Sequence, residues 1–169
     1  IGRGAVANSN WGDYLSKVYF NNKLIGEDMF RYRAAVSEVY ADNVETIRAR
    51  AFQDIATVAK FVNNEVVTIG DYAFYNVNAL KRFESTIPGR NMFEGYLDEN
   101  NNPKGVVSIG NYAFAECDNF IYPITQNSEY SQLTTIGNYA FSGCGIQEIS
   151  LPNSLTTIGE GGFSGCDFE

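Results

Sequence analysis

The residues of this chain best able to carry chemistry are an acidic loop and three cysteines. Asp98, Asn100 and Asn102 have the D-x-N-x-N spacing that opens a calcium-binding loop, because such a loop gathers oxygen ligands at alternate positions. The motif also requires a glycine and a final bidentate glutamate, and here Pro103 and Ile109 occupy those two positions. The spacing therefore favours a polar turn, and we predict no metal site and no cofactor.

The composition narrows the function classes. The 169 residues include no histidine, which removes the commonest general base and metal ligand and disfavours an enzyme. The formal net charge is −8 with dispersed charges, whereas a nucleic-acid surface needs concentrated lysine and arginine. No apolar run approaches the roughly 18 residues of a membrane span. We therefore expect no nucleic-acid partner and no membrane insertion of this chain. The sequence shows no targeting segment, but it begins without Met, so this absence does not indicate a compartment.

Internal repeats organise the chain and must position any functional residue. A phrase beginning with isoleucine and ending with phenylalanine five residues later occurs at Ile25–Phe30, Ile47–Phe52, Ile69–Phe74, Ile109–Phe114, Ile136–Phe141 and Ile158–Phe163. Successive phrases begin 22, 22, 40, 27 and 22 residues apart. In five copies a Val or Leu stands three residues before the Ile and a Thr or Ser directly before it. Agreement at several positions indicates a repeat architecture.

Short apolar segments between the phrases have the spacing and β-branched content of strands. These segments are Leu15/Val18/Phe20, Val36/Val39, Val58/Phe61, Leu80/Phe83 and Ile146/Ile149/Leu151. Each unit is thus predicted to hold one short strand, a turn at the glycine of the phrase, and a turn or helical stub around its Y-A-F. One unit cannot bury its apolar residues alone, so we expect the copies to stack as a solenoid, Ile on Ile and Phe on Phe.

The phrases LTTIGNYAFSGC and EISLPNSLTTIGEGGFSGC resemble the BspA-like (Treponema pallidum type) leucine-rich repeat family. The resemblance extends from about residue 36 to the end, and more loosely from Leu15. It implies an α/β, β-rich fold: a right-handed leucine-rich-repeat solenoid with short parallel strands, about six to seven coils of 22 residues, and short helical or 3-10 stubs. Residues 1–169 would form this single domain, with 1–24 an irregular N-terminal coil or cap. It also implies an extracellular or cell-surface location and a binding role.

The longest departure from the period lies between Ile69 and Ile109, where 18 extra residues centre on 89–105. They are either a surface loop, which solenoids tolerate, or a degenerate seventh coil, because Ile87–Phe93 resembles a phrase and begins 22 residues before Ile109. Burial of apolar residues is the commoner outcome. The functional alternative is an exposed contact patch formed by Met92, Phe93, Tyr96 and Leu97.

The cysteines Cys117, Cys144 and Cys166 each stand three residues after the phenylalanine of a phrase. Earlier copies have Ile55 and Val77 there, so we predict a buried apolar position with reduced thiols. Stacked coils would bring the thiols close, but parallel Cβ vectors suit a disulfide poorly. The ligand pairs and spacing of a zinc site are missing.

A tyrosine column, formed by Tyr72, Tyr112 and Tyr139, raises a second binding mode. Exposed rings in a row could stack on sugars, which would make the module a glycan binder. Arg50 and Gly161 occupy the same column, so the position does not require an aromatic ring. We expect instead that the rings pack over the coil edges with their hydroxyls in water.

Side chains between the strand anchors are predicted to point outward and to suit protein recognition, where Tyr and Arg are favoured. The candidate partner-binding residues are Lys17, Tyr19, Lys60, Lys81, Arg82, Glu84, Tyr122, Gln147 and Glu148, with Phe93 and Tyr96 of the insertion. The predicted function is a non-enzymatic protein-binding module of a bacterial cell-surface or secreted protein, in adhesion or host interaction. The partner would be a host extracellular or surface protein. The alternatives are a glycan-binding module and a structural spacer of a larger surface protein.

Overall fold

The computed structural model describes residues 16–32, 35–88, 93–121 and 130–168, and in these residues it forms short strands and turns without helix. The strands are β1 (Lys17–Tyr19), β2 (Leu24–Ile25), β3 (Glu38–Tyr40), β4 (Thr46–Ile47), β5 (Lys60–Val62), β6 (Thr68–Ile69), β7 (Phe83–Glu84), β8 (Tyr96–Leu97), β9 (Pro103–Lys104), β10 (Ser108–Ile109), β11 (Thr135–Ile136) and β12 (Thr157–Ile158).

Two parallel sheets run along the stack of coils. The first sheet has the order β1-β3-β5-β7, and the second has the order β2-β4-β6-β10-β11-β12. In the second sheet each Ile pairs with the Ile of the next phrase, as in Ile25↔Ile47 and Ile109↔Ile136. The solenoid prediction is confirmed. The prediction of one strand per unit was incomplete, because the Ile that begins each phrase forms a two-residue strand with the residue before it. The strand predicted over Ile146/Ile149/Leu151 does not form, and only a single bridge residue, Ile149, lies there.

A column of phenylalanine rings forms the centre of the core. The rings of Phe30, Phe52, Phe74, Phe114, Phe141 and Phe163 stack in sequence, with centroids 5.2–5.4 Å apart and planes within 9°. Parallel rings at this separation are offset, which is a favoured arrangement of aromatic pairs. Each coil therefore completes its core only against its neighbours, as the repeat argument requires.

The glycine of the phrase has a different role from the predicted turn. Gly70 and Gly110 do not have positive φ, but a Cβ on Gly70 would lie 2.7 Å from the backbone N of Ala49. The glycine thus permits close approach between coils. The left-handed turn residues lie two positions later, and their φ values of 53–59° belong to Asp28, Arg50, Tyr72, Tyr112, Tyr139 and Gly161. The Y-A-F segments form hydrogen-bonded turns.

Side chains directly after that glycine link successive coils by a ladder of hydrogen bonds. Asp71 Oδ1 accepts the backbone N–H of Asn111 at 2.7 Å. Asn111 Oδ1 accepts that of Asn138 at 2.8 Å, and Asn138 Oδ1 accepts that of Glu160 at 2.8 Å. The ladder satisfies amide donors at the turn and fixes the stacking register.

The insertion forms an antiparallel hairpin of β8 and β9. Its turn is organised by Asp98, whose Oδ1 accepts the N–H groups of Asn100 at 2.9 Å and Asn102 at 2.8 Å. These bonds, the one from Asn102 first, lower the pKa of the Asp98 carboxyl. The polar-turn interpretation of the D-x-N-x-N spacing is confirmed, because protein donors occupy the carboxylate.

Phe93, a candidate contact residue of the alternative exposed patch, is buried, so that alternative is wrong at this position. Its side chain is only 1% exposed, and its ring lies 6.3 Å from the rings of Phe83, Phe114 and Phe141. The insertion therefore contributes an aromatic ring to the core before it turns out into the hairpin, because that burial removes a large apolar side chain from water. Met92, another member of the proposed patch, lies outside the described residues.

Candidate functional site

The first sheet brings several predicted contact residues into one strip. In each strand one residue, such as Val39 or Phe61, packs against the core, so alternation turns its neighbours toward the opposite side of the sheet. Val62 of β5 is an exception in exposure, because only 3% of it is accessible. Parallel register then aligns the outward side chains of successive coils. We call this surface the first-sheet face, and its members are Lys17, Tyr19, Glu38, Tyr40, Lys60 and Glu84.

Charged groups on the first-sheet face pair with one another. Lys17 Nζ lies 3.1 Å from Glu38 Oε1, and Lys60 Nζ lies 3.6 Å from Glu84 Oε2. The Tyr40 hydroxyl donates to Glu38 Oε2 at 2.6 Å, which together with the Lys17 hydrogen bond lowers the pKa of Glu38. The same hydrogen bond raises the pKa of Tyr40. The lysine and glutamate charges of the face thus balance one another, and ion pairs and a hydrogen bond restrain these side chains.

Two tyrosine rings stand between these charged pairs. The rings of Tyr19 and Tyr40 stack with centroids 4.8 Å apart and planes within 10°, and Lys60 Nζ lies 5.4 Å from the Tyr40 centroid. Tyr19 nevertheless remains 67% exposed. A large amphipathic ring held by a neighbouring ring can contact a partner at low entropic cost.

The other predicted contact residues of the strand segments lie in different places. Lys81 and Arg82 are exposed directly before β7, and the pairing of Phe61 with Phe83 places Arg82 beside Lys60. Gln147 and Glu148 are exposed in a later coil that does not pair with β7 among the described residues. Tyr122 lies outside the described residues.

Tyr96 is placed differently from the expectation of a free contact residue. It is half-buried, and its hydroxyl proton is shared between two acceptors, Asn64 O at 2.8 Å and Glu65 Oε1 at 2.9 Å, so it fastens the hairpin to a coil. Sequence reasoning also missed Tyr40 on the first-sheet face. The signal was available, because Tyr40 follows the inward Val39 by one position in an alternating strand.

The tyrosine column covers its own ring faces. Tyr72 and Tyr112 stack at 4.9 Å, and Tyr112 and Tyr139 stack at 5.2 Å, with interplanar angles of 9° and 14°. The Tyr139 ring lies so close over Gly161 that a Cβ there would approach it to 2.4 Å. Packing over the coils, as expected, leaves these faces unsuited to stacking on sugars. The Tyr139 hydroxyl donates to Glu160 Oε1 at 2.9 Å rather than pointing only to water.

The three cysteines are free. Cys117 and Cys144 are buried, as predicted, whereas Cys166 is only half-buried. The thiol of Cys117 donates to Phe74 O at 2.9 Å, and those of Cys144 and Cys166 make the equivalent bond, at 3.1 Å, to the phrase phenylalanine of the preceding coil. Burial raises the pKa of Cys117 to about 12 and also raises that of Cys144. Thiols held protonated are poor nucleophiles and poor metal ligands. Within the described ranges, no three acidic or cysteine side chains gather as metal ligands.

In the described part of the chain, no helix has the length and apolar character needed to cross a membrane.

Comparisons with known proteins agree with this architecture. The family model described as BspA type leucine rich repeat region matches residues 9–120 and 85–169, with six copies. Among solved structures, the chain is similar to a leucine rich cell surface protein from Faecalibacterium prausnitzii A2-165, with a TM-score of 0.51 and 22% identity. That similarity covers 93% of this chain and 47% of the other, so this chain spans about half of that protein's length. At this identity the likeness shows the fold alone. A comparison with curated proteins found no match.

Proposed function

Since the chain belongs to the BspA type leucine-rich repeat family, we propose that it is a non-enzymatic protein-binding module of a bacterial cell-surface or secreted protein, acting in adhesion or host interaction. Stacked repeats build extended surfaces that suit the binding of other macromolecules. The location we propose is the cell surface, as in the printed description of the Faecalibacterium protein. The partner we propose is a host extracellular or surface protein.

The observation that carries this proposal is the first-sheet face. It combines the stacked tyrosines Tyr19 and Tyr40 with lysine and glutamate side chains that already pair within the face. Such pairs need little reorganisation when a partner covers them, whereas an unpaired charge would be costly to desolvate. Tyrosine is among the residues that carry most binding energy at protein interfaces. Tyr19 and Tyr40 are therefore the proposed anchors.

A pull-down tests the proposal. The chain, immobilised, is exposed to extracellular-matrix proteins and mucins, and a glycan array is run with the same preparation. We expect protein capture that falls at least about tenfold in a Tyr19→Ala/Tyr40→Ala variant, because loss of an interface anchor costs about 2 kcal/mol or more. Tyr32→Ala is the matched control, since it removes a tyrosine that is 64% exposed and lies outside the first-sheet strands.

Three outcomes would count against this function. Binding to glycans alone would favour a glycan-binding module. Silence in both assays would favour a structural spacer of a larger surface protein. Capture that survives Tyr19→Ala/Tyr40→Ala, in a variant whose circular dichroism matches the parent, would move the binding site away from the first-sheet face.

A further inference from the structure

A groove with a volume of about 300 Å³ lies beside the second sheet, where the insertion hairpin returns to the stack of coils. It is within the size range of sites that take small groups. The lining residues that matter to its chemistry are Glu45, Glu65, Val67, Val107, Lys104 and Gln132. It is separate from the first-sheet face, because none of these residues lies on β1, β3, β5 or β7.

The floor of the groove is apolar because two coils have valine at a position where the next two coils have threonine. Val67 and Val107 lie on adjacent coils, since the N–H of Val107 donates to Val67 O at 2.8 Å. The equivalent positions in the next coils are Thr134 and Thr156, because the N–H of Thr134 donates to Val107 O and that of Thr156 to Thr134 O. Both valines remain half-buried and line the open groove. They offer an apolar surface for a hydrocarbon stem.

Two carboxylates from adjacent coils, those of Glu45 and Glu65, also line the groove. Each has one oxygen already engaged: Glu45 Oε1 with Lys23 Nζ, and Glu65 Oε1 with the Tyr96 hydroxyl. The second oxygen of each has no hydrogen-bond partner among the described residues. Lys104 also lines the groove, and its Nζ lies 3.9 Å from Asp98 Oδ2. Among the described residues, no ion pair joins Lys104 to Glu45 or Glu65.

From these features we propose that the groove receives an arginine side chain of a protein partner. The guanidinium is planar and carries five donors, so it can bond both Glu45 and Glu65 while its methylene stem covers Val67 and Val107. Gln132 also lines the groove, and its amide oxygen can accept a further hydrogen bond, since its Nε2 donates to Tyr130 O and Ser131 O. A net charge of −8 on the chain favours the approach of a cationic segment. The inference deepens the proposed function, on which it rests, by supplying a second recognition point.

The test needs no identified partner, because a small probe reports on the groove itself. N-acetyl-L-arginine N-methylamide is titrated into the ¹⁵N-labelled chain, with the citrulline analogue as a neutral isostere and the lysine analogue as a cation of different shape. We expect saturable shifts at the amides of Glu45, Glu65, Val67 and Val107, at least tenfold weaker binding of citrulline, and weaker binding of lysine. Glu45→Gln/Glu65→Gln should reduce the affinity for the arginine probe at least tenfold.

Glu148→Gln is the matched control, since it removes an exposed carboxylate outside the groove. Absence of saturable shifts at millimolar probe would overturn the inference, as would equal binding of citrulline or of lysine. An equal loss of affinity for the arginine probe in Glu148→Gln would show that only the net charge of the chain matters, and would also overturn the inference. Shifts in the same amides with a mixture of methyl glycosides, and none with arginine, would make the groove a sugar site.

The outcomes separate the two proposals. Loss of protein capture in Tyr19→Ala/Tyr40→Ala with unchanged arginine shifts supports both sites independently. Arginine shifts that persist while no protein is captured would leave the groove as an arginine site and refute the protein-binding function of the first-sheet face. Protein capture without arginine shifts would support the protein-binding function and refute the groove as an arginine site.

Discussion

At the scale of single residues, burial decides what the cysteine column can do. Cys117 and Cys144 are buried, and Cys166 is half-buried. Burial raises the pKa of Cys117 from 9.0 to about 12, so its thiol stays protonated at neutral pH. In an oxidising environment, the same burial protects Cys117 and Cys144 from thiol–disulfide exchange. These two thiols can therefore be free in a secreted protein without being reactive.

This predicts the labelling order of the thiols. At pH 8, Ellman's reagent should react with Cys166 first and should leave Cys117 and Cys144 unmodified until the chain unfolds, since reaction requires an accessible thiolate. Counting released thiolate by absorbance, with a sample in guanidinium chloride as the reference for three thiols, gives the measurement. Rapid labelling of Cys117 in the folded chain would contradict the packing.

The raised pKa also fixes the sign of a pH effect on stability. Above about pH 9 the unfolded chain ionises its cysteines, whereas the folded chain retains the proton of Cys117 up to about pH 12. The folded state then binds more protons, so the free energy of unfolding must fall as the pH rises through this window. The contribution of Cys117 to stability is complete below pH 9.

At the scale of elements, the coil-to-coil contacts explain which parts of the pattern were visible in the sequence. The Ile and Phe columns were predicted because they recur at a fixed gap and must be buried by stacking. The second sheet was missed because a two-residue strand such as Thr68–Ile69 is too short to show alternation. The ladder from Asp71 to Asn138 was missed because each bond joins residues 22 or more positions apart, and only a neighbouring coil supplies the donor.

The glycine of the phrase gives a prediction at this scale. Gly110→Ala should cost about 3 kcal/mol, the upper end for overpacking, because its Cβ would lie 2.6 Å from the backbone N of Asp71. Gly143→Ala should cost only about 1 kcal/mol, since it has φ +71° but no neighbouring atom nearer than 3.5 Å to the added Cβ. Urea unfolding of both variants measures the difference. If Gly143→Ala were the more harmful, close approach between coils would not be what requires glycine at position 110.

At the scale of the whole molecule, regular and irregular parts differ in how well sequence predicts them. The outward positions of Lys17, Tyr19 and Lys60 follow from strand alternation, and the structure places them on one face. Phe93 and Tyr96 belong to an insertion without a repeat to fix their register. Phe93 is buried because its ring packs against those of Phe83 and Phe114, and these contacts form only when the coils are assembled. The groove is equally dependent on assembly, because its walls come from separate coils and the hairpin.

The stacked architecture also predicts how stability varies along the molecule. In a solenoid, each coil is stabilised by the coils on either side, so local opening is easiest where one side is uncovered. Ile109 is 1% exposed between two coils, whereas Ile158 in the last described strand is 44% exposed. Two amides make a matched comparison, because Gly110 N–H donates to Ile69 O and Gly159 N–H donates to Ile136 O, both at 2.8 Å. With equal bonds, the flanking coils alone distinguish them. Native-state hydrogen exchange should therefore be at least tenfold faster at Gly159 than at Gly110. Equal protection would mean that the coils open as one cooperative unit, and that nearest-neighbour packing does not set the local stability of this molecule.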